Sequence, residues 1–175
     1  MAALEARRAA LEQQLAQQPD NADLLNREGQ VLELMGRVGE AAARFERAVK
    51  LAPETRSYHS NLARADVTLG QWDRAIVEYR EVVRLQPNDY AARNTLAMSL
   101  QRKGDDEGAI PEFQKAVALG PAESSAHLGL GVSLERVGRV AEAVGEYQRY
   151  IAIQPHSADS ERLKLHLAAI GGGLK

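Results

Sequence analysis

Leu4, Leu11 and Leu15 fall on one face of a segment whose other positions are mostly polar or small, which predicts an amphipathic helix over residues 2–17. Leu163, Leu167 and Ile170 share one face against Glu161, Arg162 and Lys164, and predict a closing helix over 158–170 opened by Ser157. Between these ends the pattern repeats. Aliphatic positions stand at Leu51, Leu85, Leu119 and Ile153, rings at Phe45, Tyr79, Phe113 and Tyr147, and alanines at Ala41, Ala75, Ala109 and Ala143, each 34 residues from the next. Glycines follow the same interval at Gly36, Gly70, Gly104 and Gly138, as do Pro19, Pro53, Pro87, Pro121 and Pro155. The spacing predicts first helices over 22–35, 55–69, 89–103 and 123–137, and second helices over 38–51, 72–85, 106–119 and 140–153.

Each marker has a physical reason for its place. A glycine after the first helix can take the left-handed conformation that a Cβ disfavours by roughly 1–2 kcal/mol. A proline after the second helix cannot continue the hydrogen-bond ladder. Asn21, Thr55 and Asp89 are expected to cap the next first helix, and Ser124 to do so in the fourth pair. The alanine lets paired helices approach, helped by Gly29, Ala63, Ala97 and Gly131 on the facing helix, and the ring fills the groove toward the next pair. Short connections force antiparallel pairs, and repetition stacks them.

A 34-residue period with these markers resembles the tetratricopeptide repeat family, over residues 22–155 without insertion or deletion. The resemblance implies an all-α, right-handed superhelical solenoid of four helix-turn-helix repeats with capping helices at both ends. The expected organisation is one domain over 1–175. It comprises an N-terminal cap (1–20), repeats at 22–55, 56–89, 90–123 and 124–157, a C-terminal cap (158–170) and a flexible tail (171–175).

Four positions depart from the repeat. Tyr150 stands where Ala48, Val82 and Ala116 do, as suits a junction with a cap. Glu28 replaces the leucine of Leu62, Leu96 and Leu130, so looser packing is expected there. Asp66 occupies the slot of Leu32, Leu100 and Leu134 and is expected to find an arginine or stay at the surface, because a buried unpaired carboxylate is costly. Pro111 removes one backbone bond inside a second helix and is expected to bend its start.

Composition narrows the chemistry. Net charge is −2, so no basic stripe for nucleic acid is expected. The absence of cysteine excludes disulfides, thiol catalysis and Cys-ligated zinc. No stretch approaches the ~18 apolar residues of a membrane span. Glu5, Arg7, Arg8 and Glu12 unsuit the first helix to a signal peptide, so a cytoplasmic chain is expected, or a periplasmic one from which a leader has been removed. His59 and His127 occupy equivalent slots two repeats apart, too distant to share a metal, and are expected to be packed. Asp105, Asp106 and Glu107 read as a helix cap and first-turn acids, Met98 as groove wall or core, and Trp72 as a ring between repeats. No nucleophile, base and orienting group can be assembled, so neither catalysis nor a cofactor is expected.

The family resemblance implies a concave face lined by first helices. Its positions here include Asn26, Gln30, Ser60, Arg64, Asn94, Met98, Gln101, Arg102, Leu128 and Arg136. Amides can hydrogen-bond an extended backbone and arginines can fork onto carboxylates. The expected partner is therefore a protein segment, peptide or helix, held by an adaptor or scaffold. The alternative is self-assembly through the ends or the convex face, and homo-oligomerisation stays open. The family's clamp for chaperone tails is disfavoured, because its slots hold Asn26, Gln30, Asn61, Ala91 and Thr95 and only Asn61 matches.

Overall fold

The structure is a computed structural model describing residues 1–172, the side chains of 171 and 172 excepted. Ten α-helices form it, with no strand among the described residues. Two compact units divide the chain, Met1–Pro87 and Asn88–Lys175. The first holds α1 (Ala2–Gln17), α2 (Ala22–Leu34), α3 (Val38–Leu51), α4 (Arg56–Thr68) and α5 (Trp72–Leu85). The second holds α6 (Tyr90–Lys103), α7 (Asp106–Leu119), α8 (Ser124–Arg136), α9 (Val140–Ile153) and α10 (Ala158–Gly172).

Within each unit every helix packs on the next in sequence, and the first helices of successive pairs also touch, α2 with α4 and α6 with α8. The second helices end where the sequence predicts, while the first helices lose one or two terminal residues to cap positions. Asn21 and Asp89 accept hydrogen bonds from Leu24 N and Ala92 N, both at 3.1 Å. Thr55 occupies its cap position without a side-chain bond. In the fourth pair the cap is Glu123, not Ser124, which is already the first helical residue.

The turn inside each pair is built the same way. Gly36 sits at φ 77°, and Arg37 N donates to Leu32 O at 2.9 Å, closing the end of α2. The same bond recurs as Gln71 to Asp66, Asp105 to Leu100 and Arg139 to Leu134. Gly70, Gly104 and Gly138 are the other described residues with positive φ.

Packing follows the small-against-ring scheme. Ala41, Ala75, Ala109 and Ala143 are fully buried, and so are the rings of Phe45 and Phe113, with Tyr79 and Tyr147 nearly so. A Cβ on Gly29 would stand 2.5 Å from Phe45 Cε1, and one on Gly131 2.5 Å from Tyr147 Cε1. Each ring therefore lies directly on the backbone of its partner helix. Phe45 also clusters with Leu62 and Ala65 of the next pair, joining the two hairpins in one core.

The ends are closed by α1 and α10. Leu11 is buried with Leu24 and Val31, and Leu4 and Leu15 pack against them. Ser157 Oγ accepts from Ser160 N at 3.1 Å and opens α10. Leu163, Leu167 and Ile170 are only half-buried, whereas Tyr150 is buried and its hydroxyl lies 3.4 Å from Ser157 Oγ. The helix continues to Gly172, past the expected start of the tail, and residues 173–175 lie outside the described residues. Helix α7 runs unbroken from Asp106 to Leu119 through Pro111. Trp72 opens α5, half-buried.

Both acidic intrusions are buried. Asp66 is 0% exposed, and its Oδ2 lies 3.5 Å from Arg74 Nε, an ion pair too long to be a hydrogen bond. Neither of its oxygens has a hydrogen-bond partner, and burial pushes its carboxyl above the ordinary aspartate range despite Arg74. Glu28 is 1% exposed. Its Oε2 accepts from Arg44 Nε at 2.6 Å, while Oε1 has no partner.

Candidate partner-binding faces

Helical spacing sets the candidate residues in stripes. In the first unit Asn26 and Gln30 are four apart on α2, as are Ser60 and Arg64 on α4. In the second, Asn94, Met98 and Arg102 form one stripe along α6 beside Gln101, and Leu128 and Arg136 form another on α8. No element links these side chains in sequence. The contact between first helices of neighbouring pairs brings them together within each unit.

Many of these polar groups are already engaged. Asn61 Nδ2 donates to Asn26 Oδ1 at 2.7 Å, and both amides are buried. Arg64 forks onto Glu33, with Nε at 2.9 Å and one terminal amine at 2.6 Å, and this pairing raises its pKa further. Gln101 Nε2 donates to Gly129 O at 2.9 Å and to Ser133 Oγ at 2.8 Å. Asn94 Nδ2 donates to Ser125 Oγ at 3.2 Å. These bonds tie one first helix to the next, a role that periodicity could not reveal because each joins slots from different repeats.

What remains free is narrower. Gln30 and Arg102 are exposed, Met98 is 43% exposed, and Ser60 and Leu128 are half-buried. Asn94 Oδ1 is buried without a partner. Arg136 lies 3.5 Å from Asp106, while Arg102 makes no ion pair among the described residues. Met98, Gln101, Arg102 and Arg136, with Lys103 and Gly104, line an open concavity of about 580 Å³ at the C-terminal end of α6.

A sequence model of the tetratricopeptide repeat matches residues 1–55, 60–124 and 94–158. The chain is a tetratricopeptide repeat protein. No curated protein matches it. Among solved structures, one described as the crystal structure of MamA superposes with a TM-score of 0.81 at 19% identity, covering 89% of this chain and 91% of that one. MamA residues 41 to the end from Desulfovibrio magneticus RS-1 gives 0.79 at 21% identity, covering 89% and 88%. YrrB, described as a tetratricopeptide repeat protein with an unusual peptide-binding site, gives 0.75 at 18% identity, covering 86% and 78%. These likenesses concern the fold, which is the all-α solenoid fold of the family. Tetratricopeptide repeat proteins serve in general as scaffolds for protein interaction.

Two of the four histidines of this tetratricopeptide repeat protein, His59 and His127, are buried and tightly held. His59 Nδ1 lies 2.6 Å from Glu78 Oε2 and its Nε2 lies 2.7 Å from Pro53 O. His127 repeats this with Glu146 at 2.6 Å and Pro121 O at 3.0 Å. The same slots hold Arg93 and Glu112, paired at 2.7 Å, in the third repeat. There burial works upward on the Glu112 carboxyl, but hydrogen bonds from Lys115 and Arg93 outweigh it and hold it below the ordinary range. A cross-pair bond thus recurs in three repeats, visible in sequence only as a polar residue 19 positions before a glutamate. No cluster of three or more His, Asp or Glu side chains able to hold a metal occurs among the described residues. Asp105 caps α7 by accepting from Gly108 N at 2.9 Å.

Proposed function

We propose that this tetratricopeptide repeat protein is an adaptor, not an enzyme, that holds a peptide or helix of a protein partner on its first-helix faces. In this reading residues 1–175 act as one tetratricopeptide domain, both units contributing. The supporting observation is the α6–α8 concavity, where Met98 offers an exposed apolar and polarizable contact beside Arg102 and Arg136. Asn94 Oδ1, on the same stripe, is buried without a donor, so turning this amide outward toward a partner's backbone N–H would satisfy it. Arg102 is free to fork onto an acidic side chain. In the first unit Gln30 is the exposed amide of the equivalent face, while Asn26 and Arg64 hold that face in shape.

The combined substitution Gln30→Ala, Met98→Ala and Arg102→Ala tests this. Capture of partners by the immobilised protein should fall by at least about tenfold, equivalent to about 1.4 kcal/mol, with an unchanged melting temperature. Undiminished capture would remove these faces from consideration. Stacking of copies end to end is less well supported. Leu165 and Lys164 stand 34 residues after Gly131 and Leu130, so α10 lacks the small residue against which a following second helix would seat its ring.

A further inference from the structure

We propose that the concavity between α1, α2 and α3 binds a small zwitterion with an aliphatic body, of which an aliphatic α-amino acid is the fitting class. The concavity measures about 250 Å³ and lies within the first unit. Leu15, Ala16 and Pro19 form one wall and Leu25 another, while Glu28, Arg44 and Arg47 supply the polar side together with Glu12.

Three observations carry this. Glu28 keeps a buried carboxylate where the other three pairs have leucine, and one of its oxygens lacks any partner. Leaving such an oxygen unmet is costly, so a donor brought by a ligand is a strong source of affinity. Arg44 contacts Glu28 through Nε alone, and its two terminal amines make no bond among the described residues. Its side chain is 36% exposed, so it can shift outward and admit a ligand to Oε1. Finally, the wall presents a negative and a positive group in direct contact, 2.6 Å apart. An α-amino acid carries the complementary pair on adjacent atoms, its ammonium for Glu28 and its carboxylate for Arg44. Its aliphatic side chain then covers the half-buried Leu15 and the exposed Ala16, removing their surface from water. Glu12 is already held by Arg8, and Arg47 by the Pro19 carbonyl and Asp20, which leaves Glu28 and Arg44, one charge of each sign, for a ligand without net charge.

Titration calorimetry of the full chain with L-leucine, followed by amide chemical shifts, tests the site. Leucine should bind and shift the amides of Leu15, Leu25 and Glu28. The analogues 4-methylpentanoate, without the ammonium, and 3-methylbutylamine, without the carboxylate, should each bind about tenfold more weakly or worse. Glu28→Leu, which installs the residue of the other repeats, should abolish binding while keeping or raising the melting temperature. Glu28→Gln, closest in shape, should weaken leucine by about tenfold. Absence of binding at millimolar leucine, binding of either analogue as tight as that of leucine, or full binding by the Glu28→Leu protein would each overturn the assignment.

Discussion

His59 and Glu78 meet at 2.6 Å across α4 and α5, while the far nitrogen of the same ring faces the carbonyl of Pro53. A carbonyl can only accept, so Nε2 carries a hydrogen and the ring fastens the preceding connection to its own hairpin. His127 does the same with Glu146 and Pro121 in the second unit. Replacing His127 by leucine leaves the Pro121 carbonyl and Glu146 Oε2 without their donor, while Arg149 still holds Glu146 Oε1. The expected loss is about 1–3 kcal/mol, seen as a lower urea midpoint with unchanged slope. Nitrogen-15 spectra of the wild type should place Nε2 of both rings in the protonated range.

Asp66 is the opposite case, a buried charge whose arginine stops short of hydrogen bonding. Its carboxyl is raised in the folded chain, so the native state binds this proton more tightly than the unfolded one. The stability it contributes is therefore greatest in acid, declines as pH rises from the ordinary aspartate value through the raised one, and is flat above. Asp66→Leu, restoring the residue of Leu32, Leu100 and Leu134, should stabilise the protein by about 1–4 kcal/mol at neutral pH. The gap to wild type should shrink toward pH 4. Urea midpoints across a pH series check both the sign and the window.

Which parts were legible in the sequence follows from how local their causes are. Gly36 and its counterparts marked the turns because a positive φ is a one-residue demand. Phe45 and Gly29 marked a helix pair because close approach needs a small residue opposite a ring. Ser124 misled because a good capping side chain lies one position from Glu123, where backbone geometry sets the cap. The binding faces were less readable. Position along a first helix says which way Asn26 and Gln101 point, but not that Asn61, Gly129 and Ser133 of the neighbouring helix already engage them. Periodicity reports what each repeat shares, whereas these bonds depend on residues that differ between repeats.

Glycines of opposite consequence lie on the paired helices α8 and α9. Gly131 has Tyr147 against its backbone, so Gly131→Ala should force the ring aside and destabilise by about 1–3 kcal/mol. Gly145 lies inside α9 with open space where a Cβ would go, so Gly145→Ala should stabilise by about 0.5–1 kcal/mol. Thermal melts of the two variants should move in opposite directions, and a common direction would contradict the ring-on-backbone packing.

Glu135 fastens the closing helix through both carboxylate oxygens. Oε2 accepts from the Tyr147 hydroxyl at 2.7 Å and Oε1 lies 2.8 Å from His166 Nε2, while the Tyr147 and His166 rings meet edge to face at 6.1 Å. Burial, then the bond to Glu135, push the Tyr147 hydroxyl well above its ordinary pKa, so it stays a donor throughout the neutral range. Leu163, Leu167 and Ile170 of α10 are only half-buried and Leu165 is exposed, so this polar latch carries an unusual share of the docking. Glu135→Ala should therefore speed amide exchange across 158–170 by about tenfold, corresponding to about 1.4 kcal/mol of local opening. Exchange in α6 and α7 should not change. Equal acceleration throughout the second unit would mean that α10 unfolds only with the body it caps.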